Sequence, residues 1–176
     1  RFWTSLKRWK DKMAIPGVEQ PDILEITPEL RLRKYDGGFD FALPWYQDVD
    51  MVYLVDGKRN TYTLETLAEM YSYLNDMGEL YFIEILSEGG FIPIGDVTFW
   101  QDDMPIVIGA ADYRGRGIGT RVVQALVERG KALGYKTVSV NEIYDFNKGS
   151  IRCFERAGFC AFEKTELGAR YCLKIQ

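Results

Sequence analysis

The sequence predicts one mixed α/β domain, a largely antiparallel sheet with a central parallel crossover and helices on both faces. Three observations carry this expectation. Residues 80–109 hold three strand-like runs joined by short turns, which makes them antiparallel neighbours. Residues 113–143 run as a glycine-rich loop, an amphipathic helix and a strand, the order that gives a right-handed parallel crossover. The chain has 176 residues, 47% of them hydrophobic, enough for one full core without disulfide or metal staples.

The elements follow in chain order. Residues 1–13 place Phe2, Leu6, Trp9 and Met13 on one helical face and most of their lysines and arginines elsewhere. This reads as an appended helix packing on its own domain, with a membrane-surface or partner helix as the alternative. Residues 16–28 contain three prolines and a glycine and read as a linker, so residues 1–28 form an appendage and 29–176 the domain. Residues 30–35 alternate as a strand. Residues 40–50 suggest a short helix around Pro44, followed by a loop through Asp56 and Gly57. A helix opens at Thr63, carries Leu64, Leu67, Met70, Tyr71 and Leu74 on one stripe, and stops at Gly78; Thr63 with Thr66 is not a capping box. Strands are expected at 80–86, 91–100 and 104–109. The next helix, 118–133, turns Val122, Val123, Leu126 and Val127 inward and ends at Gly134. A strand at 137–143, a helix at 148–157 closed by Gly158, and a hairpin of 160–165 with 169–175 complete the chain.

Composition excludes several functions. A net charge of −4 and a pI near 5.0 argue against a nucleic-acid binder. The chain has no histidine, which removes Ser-His-Asp and Cys-His nucleophile systems and histidine-ligated metals, and no metal site is expected. Cys153, Cys160 and Cys172 are odd in number, form no CxxC pair and follow no secretory leader, so reduced thiols in a cytoplasmic protein are expected. Cys153 lacks a histidine partner and reads as a small core residue. No apolar run approaches the roughly 20 residues of a membrane span, so none is expected.

The most informative stretch runs from Met104 to Thr120. Gly115, Gly117 and Gly119 permit positive φ and close backbone approach where a helix begins. Free amides and the helix dipole make that N-terminus an anion site, and Arg114 and Arg116 add positive charge. A pyrophosphate would fit; a glycine turn that only lets strand and helix pack is the alternative. A P-loop is excluded, since no Gly-Lys-Ser/Thr follows. Glu142 lies 23 positions after Gly119, near where a dinucleotide site would place its ribose acid. The glycine spacing is GxGxG, however, with Thr120 where that motif needs its third glycine.

These residues carry a resemblance. Arg114-Gly-Arg-Gly117-Ile-Gly119 is similar to the Arg/Gln-x-x-Gly-x-Gly/Ala signature of the GNAT family of N-acetyltransferases, and Asn147 through Phe159 resembles its Asn-x-x-Ala-x-x-x-Tyr-x-x-x-Gly-Phe segment. The resemblance implies the GNAT fold and acetyl-CoA as cosubstrate. It implies that the backbone of Ile106, Val107 and Ile108 pairs with the pantetheine arm. By the same resemblance, Arg114, Gly115, Arg116, Gly117, Ile118, Gly119 and Thr120 hold the pyrophosphate, Asn147 touches the cofactor arm, and Ile108 N–H supports the oxyanion. Two splayed strands would let the thioester meet the acceptor. Residues 150–159 also read similarly to aminoglycoside 6'-N-acetyltransferases. Phe154 departs from the family, which often has a tyrosine general acid there.

Amide formation needs a neutral amine, and an amine of pKa near 10 is mostly charged at neutral pH, so a carboxylate must bind the cation and receive its proton. Glu142 is the leading candidate, at the end of the strand entering the Asn147 segment; Asp96 is the second and Asp103 the third. Asp48, Asp50, Asp56, Asp102 and Asp103 alternate with Trp45, Tyr46, Tyr53 and Trp100. If they converge they would attract a small cationic or peptide amine; otherwise they are solvated loop acids. The favoured function is an acetyl-CoA-dependent N-acetyltransferase, the alternative a noncatalytic acyl-CoA-binding sensor or interaction module. A homodimer is an expectation carried from the family alone.

Overall fold

The computed structural model describes residues 14–175, and the predicted N-terminal helix lies outside the described residues. Eight strands form two sheets: β1 (Ile23–Thr27), β2 (Leu30–Lys34), β3 (Glu79–Ser87), β4 (Gly90–Phe99) and β5 (Ile106–Ile108) in one, ordered as in sequence, and β6 (Thr137–Tyr144), β8 (Gly168–Lys174) and β7 (Cys160–Lys164) in the other. Every ladder between these strands is antiparallel. The helices are α1 (Leu43–Tyr46), α2 (Val49–Asp56), α3 (Leu64–Met77), α4 (Ile118–Ala132) and α5 (Lys148–Arg156).

Alternation sorts the β3 side chains. Tyr81 and Ile83 join the core cluster containing α4, while Leu80 and Phe82 join the cluster built with α1, α2 and α3. Helices therefore cover both faces of the five-stranded sheet. On α4, Val122, Val123 and Leu126 are fully buried, each contributing about 1.5–3 kcal/mol of transfer free energy. Phe154 of α5 is buried edge-to-face on Phe159, with ring centroids 5.2 Å apart, so it is core and carries no proton.

Two readings need correction. Residues 16–28 are not a free linker. β1 occupies 23–27 and pairs with β2, Gln20 Nε2 donates to Leu80 O at 2.9 Å, and Arg129 Nη2 donates to Glu19 O at 3.1 Å. Pro21 and Pro28 bracket β1, and their density hid the alternation of Ile-Leu-Glu-Ile-Thr. The segment after Asp50, expected as a loop through Asp56 and Gly57, is helical. Asp48 accepts from the amides of Asp50 and Met51, opening α2, and Gly57 closes it at φ 70°.

The crossover also has a particular form. β5 and β6 are joined through α4 but share no ladder; they belong to different sheets. The sheets are tied beside the β4–β5 turn, where Ser139 N–H donates to Gln101 O at 2.9 Å and Asn141 N–H to Asp103 Oδ1 at 3.0 Å. Beyond that tie, the outer edge of β5 has no strand partner among the described residues.

Candidate active site

The free edge of β5 follows from register. Asp96 lies opposite Val107, and Thr98 N–H donates to Pro105 O at 3.0 Å. Antiparallel strands alternate their bonding direction every residue, so Val107 turns its backbone groups to β4 while Ile106 and Ile108 turn theirs outward. Consistent with this, Ile108 O accepts from Arg114 Nε at 2.8 Å instead of from β4. The outward groups of Ile106 and the N–H of Ile108 are a short template for another extended, amide-bearing chain.

The second component is the N-terminus of α4. Among the described residues, four helices have eight residues or more. In three of them a side chain caps the first turn: Asp48 for α2, Thr63 for α3 and Asn147 for α5. No side chain caps α4, and no acidic residue occupies its first turn. Its N-cap is Gly117 at φ 77°, and Gly115 has φ 70°, the left-handed region that favours glycine. The first helical bond is Arg121 N–H to Gly117 O at 3.2 Å, so the amides of Ile118, Gly119 and Thr120 keep no intrahelical acceptor. Gly119 serves a different purpose: a Cβ there would lie 3.1 Å from Cys153 Sγ, so it lets α4 and α5 pack closely.

These parts meet in one cavity of about 410 Å³. Its walls are β5, the loop at Gly115 and Gly117, the start of α4, the Met51, Leu54 and Val55 side of α2, and α5 from Asn147 onward. An apolar slot with an uncapped helix end at one wall matches a ligand with an extended arm and an anionic head.

Arg114 and Asn147 line this cavity, but both are engaged in holding its walls. Arg114 donates to Ile108 O, to Gly109 O at 2.7 Å and to Asp48 Oδ2 at 3.1 Å, joining the end of β5 to the cap of α2. Asn147 Oδ1 caps α5 through Ser150 N–H, while its Nδ2 donates to Leu54 O at 3.1 Å. Arg116 forms no ion pair among the described residues, does not line the cavity, and sits 5.4 Å from the Tyr113 ring centroid.

The carboxylates divide sharply. Asp96 is buried between Tyr46 and Tyr71, both of whose hydroxyls donate to Oδ2 at 2.8 Å. Burial pushes its pKa up from 3.8 to about 6, with the two phenols pulling the other way. Burial and the neighbouring Asp96 carboxylate hold the Tyr46 hydroxyl well above its ordinary value. Glu142 is exposed and accepts from Thr165 Oγ1. Neither Asp96 nor Glu142 lines the cavity. Asp103 pins the β4–β5 turn through the amides of Met104 and Asn141.

The loop acids do not act as one patch. Asp48 caps α2, Asp50 pairs with Arg59 at 2.9 Å, and Asp56 accepts from Tyr62 Oη at 2.7 Å. Trp45 packs on Gly109, where a Cβ would fall 2.3 Å from the ring, and Tyr46 is tied to Asp96.

Sequence reasoning misses Met51, Leu54 and Val55, because it places a loop after Asp50. It also misses Arg152 and Arg156, whose spacing on α5 is the available signal. Cys153 was read as core; it is half-buried and lines the cavity beside Thr120, with burial pushing its thiol pKa up. The three cysteines are all free.

Comparison with known proteins agrees with this geometry. The acetyltransferase (GNAT) family model matches residues 45–159. Among solved structures, a domain from Methanocaldococcus jannaschii superposes with a TM-score of 0.73 at 19% identity, covering 84% of this chain and 99% of its own. A GNAT-family acetyltransferase from Bacillus anthracis gives 0.69 at 17% identity, covering 86% and 98%. The aminoglycoside acetyltransferase AAC(6')-Ib, solved with paromomycin and acetyl-CoA, gives 0.68 at 20% identity, covering 83% and 93%. No curated protein sequence matches the chain significantly. With more than half its length matched by the family, and its fold shared with these structures, the chain belongs to the GNAT family of acetyltransferases.

Proposed function

We propose that this protein transfers the acetyl group of acetyl-CoA to a primary amine of a small cationic molecule or a peptide, by direct attack of the amine on the thioester. The observation that carries this reading is the uncapped α4 N-terminus opening into a cavity that continues along the unpaired edge of β5.

The residues fit that cosubstrate. The amides of Ile118, Gly119 and Thr120 and the side chain of Arg116 would hold the pyrophosphate, and Ile106 with Ile108 would pair with the amides of the pantetheine arm. Bound there, acetyl-CoA supplies an activated acyl carbon. Ile108 N–H, pointing away from β4, is the donor available to a developing oxyanion. Arg114 occupies the Ile108 and Gly109 carbonyls, which fixes the end of the strand.

The amine forms the new N–C bond as the C–S bond breaks; coenzyme A leaves with the bond's electron pair as its thiolate and takes a proton from water, and the amine's proton goes to a carboxylate or to water. Glu142 is reachable from solvent and suits the binding of an ammonium; Asp96, with a pKa of about 6, suits a proton store behind the Tyr46 hydroxyl. The two roles are separable by single substitution. A cationic acceptor is supported by the likeness to AAC(6')-Ib, which is solved with aminoglycosides.

The test is transfer from acetyl-CoA to a panel of aminoglycosides, polyamines, amino acids and short peptides, read by mass spectrometry. A product heavier by one acetyl group supports the reading and names the acceptor class. Tight acetyl-CoA binding with no product across the panel favours the noncatalytic acyl-CoA-binding module.

A further inference from the structure

The wall of the cavity formed by α5 carries charge that the pyrophosphate reading leaves unused. Gly149, Arg152, Cys153 and Arg156 all line it, and their spacing places them on one face of the helix. Cys153 sits against Gly119 and beside Thr120, so this stripe runs alongside the open end of α4. Arg152 and Arg156 are exposed, and no carboxylate among the described residues pairs with either. Six other described arginines, Arg31, Arg33, Arg59, Arg114, Arg129 and Arg170, form ion pairs, while Arg116 and Arg121 form none among the described residues; what sets Arg152 and Arg156 apart is that both line the cavity.

Position in the helix explains only part of this. Arg156 lies in the last turn of α5, where the dipole favours a cation. Arg152 lies in the middle of the helix, where no such preference applies. Two guanidiniums without ion pairs among the described residues, beside an uncapped helix N-terminus, concentrate one sign of charge around a cavity in a chain of net charge −4. That arrangement calls for more negative charge than one pyrophosphate brings. A phosphate monoester adds about 1.5 to 2 further charges near pH 7 and presents oxygens that guanidiniums bind well.

We propose that Arg152 and Arg156 form a second anion seat, which takes the 3′-phosphate at the nucleotide end of coenzyme A. This rests on the acyl-CoA reading of the cavity. The helix end and Arg116 hold the pyrophosphate, and the α5 arginines read the group that distinguishes coenzyme A from dephospho-coenzyme A. Phosphopantetheine carried on a protein has neither the pyrophosphate nor the 3′-phosphate, so it would lose both contacts.

The experiment is calorimetric titration of the full chain with coenzyme A, dephospho-coenzyme A and 4′-phosphopantetheine, for the unsubstituted protein and for the R152Q/R156Q variant. Two charge-assisted contacts predict about tenfold tighter binding of coenzyme A than of dephospho-coenzyme A, the gap narrowing as salt rises from roughly 20 to 300 mM. In the variant the two affinities should converge, while its affinity for dephospho-coenzyme A changes by less than about twofold. A matched thermal midpoint for the ligand-free proteins shows that the variant folds. Equal affinities in the unsubstituted protein overturn the proposal, as does discrimination that survives in the variant. Failure of all three ligands to bind the unsubstituted protein is a separate outcome: it removes the acyl-CoA reading and the second seat with it.

Discussion

Arg114 offers the sharpest test of how the cavity is built, because its motif implies a phosphate ligand and its contacts describe a strut. Its guanidinium donates to Ile108 O at 2.8 Å, Gly109 O at 2.7 Å and Asp48 Oδ2 at 3.1 Å. Replacement by alanine removes all three and leaves two strand-end carbonyls to find water. The ion pair contributes little, since its side chains are 34% and 36% exposed, and about 0.5 kcal/mol is a fair value. The two charge-assisted bonds to carbonyls add about 1–1.5 kcal/mol each. R114A should therefore lower unfolding stability by about 3 kcal/mol, or roughly 6–12 °C in midpoint for a chain of this size. Urea unfolding of the ligand-free protein measures this directly. Arg116 is the control: with no ion pair, its alanine variant should stay within about 0.5 kcal/mol while weakening acetyl-CoA binding. If R114A unfolds within about 1 kcal/mol of the original yet loses acetyl-CoA affinity as R116A does, the strut argument is wrong and Arg114 is a ligand.

Three further outcomes follow from the same contacts. Asp96 has a folded pKa of about 6 against 3.8 in an exposed chain, so its stabilising contribution is full at low pH and is lost as pH rises through about 6, by about 3 kcal/mol in all. D96N should flatten the stability curve between about pH 4 and 6 in calorimetric melts; an unaltered slope there would remove the assignment. If Glu142 receives the amine's proton, E142Q should lower kcat by at least about a hundredfold with acetyl-CoA affinity retained, and unchanged turnover would exclude it. Gly117→Glu places a side chain at φ 77° and a carboxylate at the open helix end. It should cost about 1–2 kcal/mol in strain and abolish the thermal shift produced by acetyl-CoA, and a shift that persists would mean that the pyrophosphate lies elsewhere.

The order of most strands and helices was legible because each obeys a local rule: alternation in β2, β3 and β4, the Leu67–Tyr71 stripe in α3, and glycine stops at Gly78, Gly134 and Gly158. Thr63 caps α3 through Thr66 N–H even without a capping box, so the missing glutamate did not move that boundary. What escaped depends on partners distant in sequence. β1 is a strand because β2 is beside it, and its flanking prolines mask that in isolation. α2 is short, and its cap Asp48 is held in place by Arg114, 66 residues away. The same logic separates the two halves of the glycine motif. Its sequence names the residues of an anion loop, but only the tertiary contacts show that Arg114 is occupied, that Gly119 serves α5, and that the amides of α4 remain open. The missing cap of α4 is itself written in the sequence: among the described residues, Asp48, Thr63 and Asn147 directly precede the other three helices of eight residues or more, whereas Gly117, which has no side chain, precedes α4. What the fold adds is the slot this end faces, whose far wall is a strand edge without a partner among the described residues. Both unsatisfied features lie on the same cavity, which is where a ligand with an anionic head and an amide-bearing arm would satisfy them together.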